Sequence, residues 1–127
     1  MSAQSDFKFG WKPVPRDRIR TIIIETCNAV SKLNETKGYE YSGDEDALEN
    51  FRRNGFNVNL EPEVIWSVYA AKHWDAIMQW VQDILRNNNR VYSEPITGRI
   101  DDLITYLILL KALYQARMER DAEKART

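Results

Sequence analysis

The sequence predicts an all-α protein, a bundle of three long helices and one short helix with an extended N-terminal arm. Apolar residues recur three or four positions apart in four segments. Those segments are bounded by glycine, proline and capping patterns. No sustained alternation of apolar and polar residues indicates a strand. With 127 residues, of which 43% are hydrophobic, the chain is expected to form one domain around one core.

Residues 1–15 are predicted to be the arm. Prolines at positions 13 and 15 exclude the interior of a helix. Phe7, Phe9 and Trp11 alternate with other residues, which is typical of a short extended segment lying against the body of a protein. Residues 16–127 are predicted to be a single helical domain that ends in a charged helical tail.

The first helix is predicted over residues 16–36, because its apolar positions follow helical spacing and Gly38 then offers a C-terminal cap. Ser42 followed three residues later by Glu45 has the pattern of a capping box. This pattern predicts a short second helix, which Gly55 would end.

The third and fourth helices are the longest apolar segments. The third is predicted to begin at Pro62 and to stop at the Asn87-Asn88-Asn89 run. The fourth covers residues 94–113 and is apolar on more than one side. Because four helices joined by short loops cannot easily cover such a surface, we expect self-association as a homodimer or homotetramer.

Composition argues against several partners and compartments. The net charge of −1 does not favour a nucleic-acid or membrane surface, so neither partner is expected. A single cysteine, Cys27, cannot form a disulfide within the chain, and it is expected to be a packed thiol. The N-terminus has no apolar stretch long enough for a signal peptide, and residues 105–113 are too few to span a bilayer. A cytoplasmic location is expected.

Carboxylates are the remaining candidates for chemistry. The sequence contains no GxSxG, HExxH, Walker or dinucleotide-binding motif, and one cysteine with one histidine cannot form a structural zinc site. Asp102 and Tyr106 share a helix face, and Asp75 interrupts an apolar stripe. Carboxylate oxygens suit Mg²⁺. His73, the only histidine, is more often a hydrogen-bonded core residue than a catalytic one.

Three segments resemble the MazG-like branch of all-α nucleotide pyrophosphohydrolases, and within it small phage-encoded relatives linked to nucleotide modification. They are residues 40–44 with Asn50-Phe51, residues 68–77 and residues 93–106. The resemblance implies Mg²⁺ held by acids on two helices, and cleavage between the α and β phosphates of a nucleoside triphosphate, in the host cytoplasm for a phage protein. An acid four residues before a tyrosine matches Asp102 and Tyr106. The ExxE pair of the preceding helix has no clean counterpart here.

These observations lead to one assignment of roles and two alternatives. The predicted catalytic and metal-binding residues are Glu94, Asp102 and Asp75. The predicted substrate-binding residues are Tyr41, Arg52, Lys72, Arg99 and Tyr106. One alternative is a non-catalytic helical protein that binds a nucleotide or a protein partner. The other makes Asp102 a core carboxylate paired with Arg99 or Lys72, without any site.

Overall fold

The computed structural model of the protein describes residues 9–127. Five α-helices follow one another in this part of the chain: α1 (Arg16–Leu33), α2 (Tyr39–Ser42), α3 (Glu49–Val58), α4 (Pro62–Leu85) and α5 (Ile96–Arg126), with a π-helical segment, Asn34–Gly38, between α1 and α2. No strand occurs among the described residues. The all-α prediction of three long helices and one short helix is confirmed, and α2 is an additional single turn.

The described part of the arm has no regular secondary structure over residues 11–15. Trp11 is 68% exposed, so the prediction that the arm lies against the body is wrong at this residue. Phe7, the first of the three alternating aromatic residues, lies outside the described residues.

Helices α4 and α5 are antiparallel and enclose the core. Near the start of α4, Glu63 pairs with Arg117 late in α5, whereas His73 lies opposite Asp102. Between them, the Trp66 indole N–H donates a hydrogen bond to the Tyr106 carbonyl oxygen at 2.6 Å. The buried core cluster on this helix pair consists of Leu48, Phe51, Ile65 and Leu113.

Gly38 is not the C-terminal cap that the sequence predicted. It has right-handed helical angles, φ −60° and ψ −45°, because the chain continues from α1 through the π-helical segment into α2. The helical path ends at Gly43, whose φ of +71° lies in the region that favours glycine. The result is that α2 follows the end of α1 directly, through the π-helical segment.

The predicted capping box is also wrong. Ser42 is the last residue of α2, and α3 begins seven residues later, at Glu49. The Ser42 hydroxyl oxygen nevertheless accepts a hydrogen bond from the Asn50 backbone N–H at 3.2 Å. It therefore satisfies a free donor in the first turn of α3 from outside that helix.

Gly55 does not end α3, which continues to Val58 and is closed by Asn59 in the left-handed conformation, φ 58°. Gly55 is buried instead. A Cβ atom at this position would clash with the Leu60 carbonyl oxygen, at a separation below 3.0 Å. The glycine is required by the close approach of the α3–α4 turn.

The connection from α4 to α5 is anchored on Asp83, which is only 2% exposed. Its carboxylate accepts hydrogen bonds from the Tyr92 hydroxyl at 2.7 Å and from Arg90 Nε at 2.8 Å. Gln79 donates a third, at 3.1 Å. These donors, with Tyr92 first, lower the pKa of Asp83 to about 2.

Cys27 is exposed rather than packed, so that prediction is wrong for the single chain. It lies on α1, whose partner in the fold is α5 alone among the long helices. None of the helices in the described part of the chain is long and apolar enough to cross a membrane.

Candidate functional site

A cavity of about 440 Å³ opens between the end of α1 and the α4–α5 pair. The π-helical segment and α2 form one wall, and the first turn of α3 forms another. Helix α4 contributes Lys72 and His73, and α5 contributes Asp102, Thr105, Tyr106 and Leu109. The volume lies within the usual range for small-molecule sites.

His73, Asp102 and Tyr106 form the deep part of the cavity. His73 is 6% exposed, and its Nδ1 atom lies 3.6 Å from Asp102 Oδ2, which is too long for a hydrogen bond. The imidazole and the Tyr106 ring have centroids 5.2 Å apart. His73 is buried, as predicted for a core residue, but in the described chain its Nδ1 atom has no hydrogen-bond partner.

The protonation of His73 follows from this burial. Desolvation lowers the pKa of His73 below its ordinary value of 6.5, and the nearby Asp102 carboxylate opposes that shift only in part. The imidazole is therefore neutral at neutral pH. A neutral, buried ring nitrogen without a partner is a donor or acceptor available to a bound molecule.

Aromatic packing holds the deep residues in place. The Phe51 ring lies 6.2 Å from the Tyr69 ring and 6.3 Å from the Tyr106 ring. The Asn54 amide donates to the Tyr69 hydroxyl at 2.8 Å and to the Asn50 side-chain oxygen at 3.0 Å. Burial raises the pKa of Tyr106, so its phenol keeps its proton at neutral pH.

The charges along the cavity are mixed. Two lysines, Lys37 and Lys72, line it together with three carboxylates, Glu35, Asp44 and Asp102. Neither lysine is in an ion pair with another described residue. The described residues that line the cavity thus carry a small net negative charge, and the two lysine ammonium groups are available to bind an anion.

Four of the eight predicted site residues line this cavity. Tyr41 lies in α2, Lys72 in α4, and Asp102 and Tyr106 in α5. The sequence placed the last two on one helix face, and the structure shows both in the cavity lining. Among the described residues, Asp102 forms no ion pair with Arg99 or Lys72. The alternative in which Asp102 is a core carboxylate paired with one of these cations therefore lacks the ion pair that it requires.

The other four predicted residues lie outside the cavity lining. Glu94 precedes α5, which begins at Ile96 rather than at position 94, and it pairs with Arg99 at 3.1 Å. Arg52 pairs with Asp46, whose pKa it lowers. Asp75 is exposed on α4.

The predicted metal ligands are therefore not assembled by a single chain. No group of three or more histidine, cysteine, aspartate or glutamate side chains within residues 9–127 could hold a metal ion. The residues present do not fit a resident Mg²⁺ ion. Asp102 is the only member of the predicted Glu94, Asp102 and Asp75 set in the cavity lining.

The sequence did not identify several residues that line the cavity, among them Asn34, Lys37, Asn50 and Thr105. Periodicity predicts an ordinary helix end at Asn34 and Lys37, because it does not distinguish a π-helical turn from an α-helical one. Asn50 and Thr105 lie in segments that carry the family resemblance, and this was the available signal for both.

The family resemblance has no support beyond the residues that suggested it. No protein-family model, curated protein or solved structure matches this chain. The assignment to MazG-like nucleotide pyrophosphohydrolases stays a prediction, and a function has to be argued from the cavity.

Proposed function

We propose that this protein binds a nucleotide in the cavity between the end of α1 and the α4–α5 pair. The observation that carries the proposal is the buried, unpartnered His73 nitrogen in a cavity that aromatic, amide and lysine side chains also line. Such a mixture suits a ligand with a flat ring at one end and phosphates at the other.

The chemistry of the walls suggests how the nucleotide would lie. Tyr39 and Tyr41 on α2 are 57% and 59% exposed, so a base can stack on one of them. Lys37 and Lys72 are the cationic groups available to phosphate oxygens. The deep His73 and Tyr106 polar atoms would then contact the sugar or the base edge.

The charge balance bears on the ionic form of the nucleotide. A free triphosphate would meet three carboxylates and two lysines in the lining, so like-charge repulsion offsets much of the attraction. Mg²⁺ carried by the phosphates reduces that repulsion, since this ion is often held by one or two carboxylates and substrate phosphates. We therefore propose tighter binding in the presence of Mg²⁺.

Hydrolysis of the bound nucleotide is the second candidate. The observation that favours it is the Asp102 carboxylate in the cavity lining, at the position that the family resemblance assigns to a metal ligand. Binding stands first, because hydrolysis by a metal-bound water requires more ligands than the described chain brings together.

The deciding experiment is isothermal titration of the purified protein with a panel of ribo- and deoxyribonucleoside mono-, di- and triphosphates, with and without Mg²⁺. Pyrophosphate release is followed in the same samples. We expect saturable binding of at least one nucleotide, tighter with Mg²⁺. A panel without any binding would contradict the proposal, and binding without pyrophosphate release would exclude hydrolysis only.

Lys72→Met is the variant that tests the location. It should weaken binding about tenfold, which corresponds to about 1.4 kcal/mol, because it removes one charged contact to phosphate. Lys124→Met is the matched control, since Lys124 lies in the exposed tail of α5. Equal losses in both variants would mean that the nucleotide is held by general charge rather than in the cavity.

A further inference from the structure

Helix α5 has a second apolar face that the other described helices cover only in part. Successive helical residues are turned by about 100°, so positions three or four apart lie on one side of the helix and form a stripe. On α5 this stripe consists of Ile100, Leu103, Leu107, Leu110, Tyr114 and Met118. It ends there because Asp121 takes the next position. We call these six residues the α5 stripe.

The α5 stripe is exposed although it is apolar. Ile100 is 38%, Leu107 50%, Tyr114 61% and Met118 43% exposed. Leu103 and Leu110 are partly buried. Apolar residues spaced three or four positions apart along a long helix are the pattern with which one helix packs lengthwise against another.

The other sides of α5 are already occupied within the chain. Tyr106 and Leu113 face α4 and the core. Ile104, Ile108 and Leu109 border an apolar groove whose opposite wall is α1. None of the six residues of the α5 stripe belongs to the core cluster or borders this groove, and four of them are exposed.

The chain exposes more surface than a compact monomer of its mass. The accessible surface is 10282 Å² for a chain of 14.9 kDa, whereas a compact monomer of this mass exposes roughly 7,000 Å². The exposed tail of α5 contributes to the difference of roughly 3,000 Å². The difference is well above the ~800 Å² that each partner of a standard interface buries.

We propose that the α5 stripe is the interface with a second copy of this chain, with Leu107 near its centre. A second copy is the occupant because it brings the same stripe, and two equal apolar stripes bury each other along their whole length. The α5 stripe spans residues 100–118, about 27 Å of helix. The proposal does not depend on nucleotide binding, since the stripe and the cavity involve different residues.

The test is sedimentation equilibrium of the full-length protein at about 20 µM, where a dimer held by such an interface should be populated. We expect a dimer for the wild type and a monomer for Leu107→Glu, or at least a hundredfold weaker association. Leu107 is half exposed, so the substitution should leave the helical circular dichroism unchanged. Tyr114→Lys, at the most exposed position of the α5 stripe, is the second variant.

Val91→Glu is the matched control, because Val91 is 98% exposed in the α4–α5 connection and lies outside the α5 stripe. It should remain a dimer. A monomeric wild type would overturn the proposal, whether the stripe stays free or takes a different partner. A dimer that survives both Leu107→Glu and Tyr114→Lys would also overturn it, since the interface would then lie elsewhere.

Discussion

At the scale of single residues, the position of Asp102 opposite His73 is the feature that sequence reasoning could not supply. The two residues lie on different helices, and their 3.6 Å approach depends on how α4 packs against α5. The pairing of Asp102 with Tyr106 on one face could be predicted, because it needs only helical periodicity. The sequence could therefore predict the pair that lies on one helix, Asp102 and Tyr106. It could not predict the approach of Asp102 to His73, which lies on another helix.

Asp102→Asn should separate a site role from a structural role. No described lysine or arginine pairs with Asp102, so the substitution strands no charge, and we expect the free energy of unfolding to change by less than about 1 kcal/mol. If Asp102 were instead the partner of a buried cation, the same substitution would lower the free energy of unfolding by about 3–5 kcal/mol. Nucleotide binding in Mg²⁺ should fall at least about tenfold. Thermal denaturation and titration measure the two quantities.

Tyr106→Phe is the companion variant. It removes the phenol from the cavity lining but keeps the ring that packs on Phe51 and His73. Weaker binding with an unchanged melting temperature would agree with the site role. An Asp102→Asn protein that melts much lower and binds nucleotide normally would refute it.

The stability of the fold should fall as the solution is acidified through the range in which histidine titrates. The pKa of His73 is lowered in the folded chain, so below pH 6.5 the unfolded chain binds more protons and gains stability relative to the native one. The free energy of unfolding should decrease from about pH 7.5 to about pH 5.5. The free energy of unfolding should become constant again only below the pKa that His73 has in the folded chain.

Urea unfolding at about pH 7.5, 6.5 and 5.5 measures this dependence. His73→Gln is the control, since His73 is the only histidine and its removal should flatten the profile in this window. A wild-type profile already flat over the same range would contradict the burial of a neutral imidazole.

At the scale of elements, the types of helices were predictable and several of their ends were not. Periodicity identified the long helices, and Pro62 marked the start of α4 as expected. The roles predicted for two glycines were wrong. Gly38 lies inside a helical path rather than at its end, and Gly55 allows the close approach of the Leu60 carbonyl oxygen. A sequence shows that a glycine is present, but not whether its conformation or its small size is needed.

Gly55→Ala should therefore destabilise the protein, by about 1–3 kcal/mol, because the added Cβ meets a backbone carbonyl oxygen that cannot move cheaply. Relief of this clash with the Leu60 carbonyl oxygen requires a shift of the α3–α4 turn. The melting temperature should drop by several degrees, about 3–5 °C per kcal/mol for a domain of this size.

Gly98→Ala is the matched comparison. Gly98 lies in the first turns of α5, and no neighbouring atom lies within 4 Å of the point that an alanine Cβ would occupy. Alanine should stabilise the helix there by up to about 1 kcal/mol. If the two variants melted alike, the close approach at Gly55 would not be the reason for that glycine.

At the scale of the whole molecule, the composition of the fourth helix predicted self-association, but only the packing of α1 and α4 on α5 identifies which face is free. The charged tail was predicted as a solvated helical extension or a frayed end. In the structure it is helical to Arg126, and residues 118–127 are exposed. Among the described residues, the last ion pairs between α5 and the rest of the chain are those of Arg117 with Glu61 and Glu63.

Removing residues 121–127 should leave the melting temperature within about 2 °C of the wild type, since exposed positions away from contacts contribute little. A chain that ends at Tyr114 loses Arg117 as well and should melt clearly lower, because it leaves the paired Glu61 and Glu63 carboxylates without their cation. Differential scanning calorimetry of both chains measures this. If removing only residues 121–127 lowered the melting temperature strongly, the tail would have to pack on the rest of the protein.

The π-helical segment has a consequence for the length of the chain. Its wider turn contains one more residue than an α-helical path would need between α1 and α2. Deleting a single residue from Asn34–Gly38 would therefore restore an α-helical turn and leave Tyr39, Tyr41 and Ser42 close to their present orientation at the cavity. Deleting a second residue would rotate α2 by about 100° and turn the same side chains away from the cavity. The segment can lose one residue and keep this wall of the site, but it cannot lose two.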